Sequence, residues 1–245
     1  MRVLAVENYR STPLGQVGTA LAEAGAEVDL RRPHLGEPMP GAAAEHDAIV
    51  ILGGEQNALA DDACPWFPGL VGLARSFGDA DKAVLGICLG AQLVARAYGG
   101  DNLLGRPVEF GWHEVRPTAE GAADPVLAGL GAGSPIFHWH EDTFSLPPGA
   151  LHLARSAMTE NQAFRLGRAV YGIQFHFEAD RPLVAGWSED FAETIHGYAP
   201  DWPERHPRDA ARHGPRSDAA GLDLARRWVR LVKPSAARRR AESAI

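Results

Sequence analysis

Cysteine is scarce in this chain, with Cys64 and Cys88 the only two among 245 residues. Two thiols cannot build the multi-bridge framework of a small secreted domain, nor a zinc site of the all-cysteine kind. A single Cys64–Cys88 bridge stays open on the sequence, although a reducing, cytoplasmic setting is the simpler expectation. Positive charge is also in deficit: 24 Lys and Arg stand against 31 Asp and Glu, a formal net charge of −7. That removes the basic field on which nucleic-acid binding depends, so no nucleic-acid partner is expected. Long apolar runs are missing as well. No stretch approaches the roughly 20 residues that span a bilayer. The opening MRVLAVENYR lacks the apolar core of a secretory signal and reads as a first strand, so neither a signal peptide nor a membrane partner is expected.

What is present is ordinary globular material, 45% hydrophobic and 22% charged, in a chain long enough to bury a sizeable core. Over the first hundred residues strand and helix patterns alternate. RVLAVEN (2–8), AEVDL (26–30), HDAIVILGG (46–54) and AVLGI (83–87) read as strands, separated by helical periodicity in 13–25 and 67–79 and followed by a helix over 89–100. This alternation predicts an α/β fold, a flavodoxin-like three-layer sandwich around a mostly parallel sheet. From 101 to 178 short extended segments between Gly and Pro turns predict a small antiparallel β-element, with AVYGIQF (169–175) able to return to the main sheet. Residues 181–198 read as helix. The Pro-rich polar stretch 199–220 reads as a loop or linker, 221–232 as an amphipathic helix, and the end as a tail whose Arg238–Arg240 run is solvated. On this reading a domain spans 1–198 and a C-terminal extension spans 199–245.

Cys88 sits in AVLGICLGAQ, where a strand pattern becomes a helix pattern and glycines lie two residues to either side. A sharp strand-to-helix turn holds a side chain up at the carboxyl edge of a sheet, and small flanking residues such as Gly86 and Gly90 relieve its crowding. The positive end of the following helix favours a thiolate, and the Leu89 N–H would face an oxyanion formed on an attacked carbonyl. A buried structural cysteine at a packing joint fits the same residues. A nucleophile needs a base, and YGIQFHFE supplies His176 and Glu178, which on a strand would share one face, the carboxylate orienting the imidazole. Gly53 and Gly54 follow an apolar strand and could bring a second N–H close to the oxyanion.

GICLGAQ (86–92), ILGGEQ (51–56) and QFHFE (174–178), in this order, resemble the class I glutamine amidotransferase domain, and are similar to its stand-alone branch and to the glutaminase domain of GMP synthase. PVLAGL (125–130), FHWHEDTFSLPPGA (137–150) and NQAFRLG (161–167) extend the likeness over roughly residues 1–185. The resemblance implies Cys88 as nucleophile, His176 as general base and acid, and Glu178 as orienting carboxylate. It implies an oxyanion hole from Gly53, Gly54 and Leu89, with Gln92 holding glutamine and segment 138–142 (His138, His140, Glu141, Asp142) along its amino-acid end. It also implies ammonia passed to a separate synthetase or other acceptor protein, and no cofactor. Phe177 stands where the family usually has proline, and Glu141 where the related branch usually has glycine.

Three other readings share these residues. γ-Glutamyl peptidase or hydrolase chemistry would differ only in the leaving amine. His138-x-His140 with Glu141 and Asp142 could form a hydrolytic metal centre, but it would leave the cysteine elbow without a role, so no metal is expected in catalysis. An elbow cysteine could also serve redox sensing or partner binding, which would not need an oriented base. Cys64, in DDACPWFPG, has no base nearby in sequence and reads as structural.

Overall fold

The computed structural model describes residues 1–234. The chain runs β1 (Arg2–Val6), α1 (Gly15–Glu23), β2 (Glu27–Arg31), β3 (Ala48–Ile51), α2 (Phe67–Asp79), β4 (Ala83–Ile87) and α3 (Leu89–Ala97). It continues with β5 (Asn102–Leu103), β6 (Glu109–Pro117), α4 (Ala119–Ala123), β7 (Ser134–His140), β8 (Thr143–Phe144), β9 (Leu151–Arg155), β10 (Ala163–Leu166) and β11 (Val170–Ile173). Helices α5 (Arg181–Asp190), α6 (Ala192–Tyr198) and α7 (Trp202–Val229) complete it. Nine strands form one sheet in the order β2-β1-β3-β4-β11-β10-β9-β6-β7, and β5 pairs with β8 in a separate two-stranded sheet. The first five strands of that order are parallel, and every later pairing is antiparallel.

The central strands are apolar throughout because both faces are covered. In β3 the side chains alternate between two cores: Ala48 and Val50 pack with Val17, Leu21, Leu224 and Trp228 of α1 and α7. Ile49 and Ile51 pack on the other face with Phe67, Leu70, Phe77 and Leu93 of α2 and α3. This two-residue alternation, sorted to opposite helix layers, is what makes the three-layer sandwich. A third, aromatic cluster including Phe110, Trp112, Phe137, Trp187 and Trp202 seats α5–α7 on the β6–β7 hairpin.

The expected return of the last strand to the main sheet is present, since β11 lies parallel to β4 with Ile173 opposite Ile87. Two other expectations are corrected. The helix expected over 181–198 breaks at Phe191 into α5 and α6. The loop expected over 199–220 is instead the first part of α7, which is 28 residues long despite Pro207 and Pro215 inside it. An interior proline costs on the order of 3 kcal/mol in a helix, so tertiary burial must offset it here. Gly214, Ser217, Gly221, Leu224 and Trp228 are buried along α7 at steps of three and four, a helical stripe built partly of small residues. The Arg238–Arg240 run lies outside the described residues. Among the described residues no helix is long and apolar enough to cross a membrane.

Candidate active site

The parallel pairing of β4 and β11 brings distant segments together at one sheet edge. Cys88 follows β4 directly, and its N–H donates to the Ile173 carbonyl at the end of β11 over 2.9 Å. Its backbone has φ 53° and ψ −113°, in a region that side chains other than glycine rarely occupy. Accepting the Ala91 and Gln92 N–H groups, its carbonyl opens α3. The two glycines are steric requirements of this elbow. A Cβ on Gly90 would overlap the Ile51 carbonyl of β3, and one on Gly86 would overlap the Gly90 backbone. Gly90→Ala is therefore expected to cost about 1–3 kcal/mol, as overpacking of a tight joint does, and to lower Tm by roughly 2–4 °C per kcal/mol. An unchanged melting curve would show that the elbow has room to relax.

His176 and Glu178 meet, but not on a strand as the sequence suggested. The β11 ladder ends at Ile173, and the chain turns through Phe175–Phe177 with a Phe177 N–H to Phe175 carbonyl bond of 3.2 Å. The His176 N–H donates to the Phe137 carbonyl of β7 at 2.8 Å, and Nδ1 lies 2.7 Å from Glu178 Oε1. Burial by itself would depress the His176 pKa, yet Glu178 and Cys88, which both interact with the ring, hold it well above the ordinary histidine value. Gln16, at the start of α1, pins this turn by donating from N–H to the Glu178 carbonyl (2.8 Å) and from Nε2 to the Phe177 carbonyl (3.0 Å). A side chain at Gly221 of α7 would overlap the Phe177 carbonyl. Here α1 and α7 supply the rigidity that a proline at 177 would have contributed.

Cys88 and His176 open into a cavity of about 470 Å3 lined by Leu89, Gln92, His140, Glu141 and Asp142, by Gly54 and Glu55, and by the rings of Tyr9, Trp139, Trp187, Phe191 and Tyr198. Of the residues expected at an oxyanion hole, Gly54 and Leu89 line this cavity. Gly53 stands behind it, where a Cβ would come within 3.4 Å of His176 Cε1 and 3.6 Å of Cys88 Cβ. The Leu89 N–H, in the first turn of α3, has no partner within its own helix. Gln92 donates from Nε2 to the Asp142 carbonyl and to Gln174 Oε1, each at 3.2 Å, and so braces the wall as well as lining it. Glu141 is exposed at the rim, and its carbonyl accepts the Arg106 N–H at 2.8 Å.

His138 departs from its expected place along the substrate. It is fully buried, off the cavity wall, beside Glu109 and His140. Nor do Glu141 and Asp142 join the histidines, because the Asp142 carboxylate accepts the Gly105 N–H at 2.8 Å. The acidic neighbour is Glu109, across the β6–β7 ladder, which sequence proximity could not point to. Burial would raise the Glu109 pKa, but the His140 and His138 rings beside it hold it down at about 2. Burial pushes His138 well below the ordinary value. Both cysteines are free. Burial, then the Asp61 charge, pushes the Cys64 thiol up, as a structural cysteine requires.

A family model described as glutamine amidotransferase class-I matches residues 6–182. The chain is 32% identical over 165 residues to the glutamine amidotransferase-like protein YfeJ of Salmonella typhimurium, covering 66% of this chain and 69% of that one. It is 31% identical over 184 residues to a subunit of the glutamine-hydrolyzing GMP synthase of Methanosarcina barkeri, covering 73% and 87%. Among solved structures, a glutamine amidotransferase from Methylobacillus flagellatus superposes with TM-score 0.84 at 27% identity, over 96% of each chain. Another from Thermotoga maritima gives 0.81 at 25% identity, over 96% of this chain and 99% of that one.

Proposed function

The chain belongs to the class-I glutamine amidotransferase family, and from that premise we propose that it cleaves the γ-amide of glutamine with Cys88, His176 and Glu178 as a catalytic triad. The observation that carries this reading is Cys88, raised on a strained elbow beside an imidazole whose Nδ1 is 2.7 Å from a buried carboxylate. With Nδ1 committed to Glu178, Nε2 is the ring nitrogen left to take the thiol proton. The thiolate attacks the γ-carbonyl carbon, and the resulting oxyanion faces the Leu89 N–H and the Gly53–Gly54 backbone. Collapse breaks the C–N bond. His176 returns its proton to the leaving nitrogen, so ammonia departs and a γ-glutamyl thioester remains on Cys88. His176 then deprotonates a water, which attacks the thioester, releasing glutamate and restoring the thiol. No step calls for a cofactor. The ammonia passes to a separate acceptor enzyme, as the name of the Methanosarcina relative, one subunit of a GMP synthase, suggests. A glutaminase assay following glutamate release, with and without candidate synthetase subunits, tests this directly.

A second reading, hydrolysis of γ-glutamyl amides, is favoured by the aromatic lining of the cavity. Trp139 and Trp187 lie beside Cys88 and His176, while Tyr9, Phe191 and Tyr198 add aromatic lining that free glutamine would leave largely unused. A panel of glutamine, γ-glutamyl dipeptides and glutathione conjugates separates the two by kcat/KM. Glu141 bears on the same choice. It lines the cavity together with Glu55 and acts with it on Tyr198, whose pKa burial raises first and these two charges raise further. A carboxylate there opposes the α-carboxylate of free glutamine. Glu141→Gly is expected to raise kcat/KM for glutamine roughly two- to fivefold, the equivalent of about 0.5–1 kcal/mol of screened repulsion. No gain, with brisk glutamine turnover by the unmodified protein, would mean that the carboxylate turns away from the substrate.

A further inference from the structure

Behind His140, four side chains from two strands and a turn converge on a point that Cys88 chemistry does not use. β6 supplies Glu109, β7 supplies His138 and His140, and Gln162 lies just before β10. All are buried, none more than 7% exposed. Glu109 Oε2 lies 3.8 Å from His138 Nδ1 and 3.3 Å from His140 Nε2. Gln162 Nε2 lies 2.9 Å from Glu109 Oε2, and 3.4 Å from each of the same two ring nitrogens.

The proton inventory of this cluster is short. His140 Nδ1 is 3.1 Å from the Asp142 carbonyl. A carbonyl only accepts, so Nδ1 carries the hydrogen, and in the neutral ring Nε2 turns a lone pair toward Glu109, itself only an acceptor. The Gln162 amide is shared among Glu109, both rings and Ser156 Oγ at 3.2 Å. Glu109 Oε1, His138 Nε2 and Gln162 Oε1 are buried with no hydrogen-bond partner among the described residues. The atoms that converge are Glu109 Oε2, His138 Nδ1 and His140 Nε2, held together by the one Gln162 amide, and a cation among them would satisfy all three.

We propose that Glu109, His138, His140 and Gln162 bind one divalent transition-metal ion of the zinc class. A metal at ~2.0–2.1 Å from N and O ligands in a tetrahedron has ligand–ligand edges of about 3.3–3.4 Å. Five such edges here measure 2.9, 3.3, 3.4, 3.4 and 3.8 Å. Turning the Gln162 amide over presents its oxygen as the fourth ligand. Two imidazoles with one carboxylate suit zinc rather than calcium or magnesium, and the His140 Nδ1–H held by a backbone carbonyl is the outer support such a ligand requires. With every position filled by protein, the ion is structural: it ties the β6–β7 hairpin to β10 and steadies segment 139–142 of the cavity wall. The proposal does not depend on the triad. The competing arrangement places a proton on His140 Nε2 instead of a metal.

The test uses the full chain carrying Cys88→Ser, so that the thiol cannot compete as a ligand. Metal-stripped protein titrated with Co2+ should take up one equivalent and show the intense visible bands of tetrahedral cobalt. Zn2+ should displace it and raise Tm. Glu109→Gln and His138→Gln, kept folded by circular dichroism, should weaken Zn2+ binding at least tenfold by calorimetry. Failure of the Cys88→Ser protein to bind Co2+ stoichiometrically overturns the proposal whether or not those variants fold. Undiminished Zn2+ affinity in Glu109→Gln does so too, by placing the metal elsewhere.

Discussion

Cys88→Ser is expected to abolish amide hydrolysis, by a factor on the order of 10³ or more, while leaving Tm close to that of the unmodified protein. The loss follows from chemistry: a serine hydroxyl beside the same imidazole is a far weaker nucleophile than a thiol poised to ionise. The preserved fold follows from geometry, since the elbow depends on Gly86, Gly90 and the Cys88 backbone bonds rather than on the sulfur, which meets the His176 ring and, at 3.7 Å, the Trp139 carbonyl. A diazo-ketone analogue of glutamine should alkylate Cys88 and spare Cys64, which is buried with its thiol pushed up in pKa. Modification of Cys64 first, or substantial turnover by Cys88→Ser, would remove the nucleophile assignment.

The second large effect belongs to His176. Its replacement by alanine removes both the proton acceptor for the thiol and the donor for the leaving nitrogen, and should lower kcat by at least roughly 10²-fold. Glu178→Gln should cost less, because the imidazole remains and only its orientation and charge partner weaken. The two variants are distinguished by pH. His176 is held well above its ordinary value because, against burial, Glu178 and Cys88 stabilise the imidazolium. Removing the Glu178 charge lowers that pKa, so the imidazolium is lost at lower pH. The ionisation followed by NMR of the His176 ring should therefore move downward in Glu178→Gln. An unmoved titration would mean that the carboxylate does not carry the shift.

The parallel half of the fold was legible because strands buried on both faces must be apolar throughout and the helices between them must be periodic; α2 and β4 fall at their expected bounds. The elbow was legible because Gly86 and Gly90 answer a local steric demand that appears in sequence as spacing. His176 and Glu178 were found with an argument that the structure replaces: a turn, not a strand, brings them together, held by Gln16 and Gly221 from helices remote in sequence. Helix α7 was missed because Pro207, Pro215 and its glycines read as loop composition. The signal present was the three-and-four spacing from Gly214 to Trp228, carried partly by residues too small to look hydrophobic. Glu109 left no local signal, since only the β6–β7 register sets it opposite His140. The aromatic cavity wall likewise draws on Tyr9, Trp139, Trp187 and Tyr198 from separate elements.

Opening of the γ-amide through a covalent intermediate on Cys88 can be trapped by acid-quenching the enzyme during turnover of glutamine or a γ-glutamyl amide and mapping the protein by mass spectrometry. One glutamyl group in thioester linkage to Cys88 is expected, cleaved by hydroxylamine and absent from Cys88→Ser. Product release with Cys88 unmodified, and activity surviving in Cys88→Ser, would contradict it.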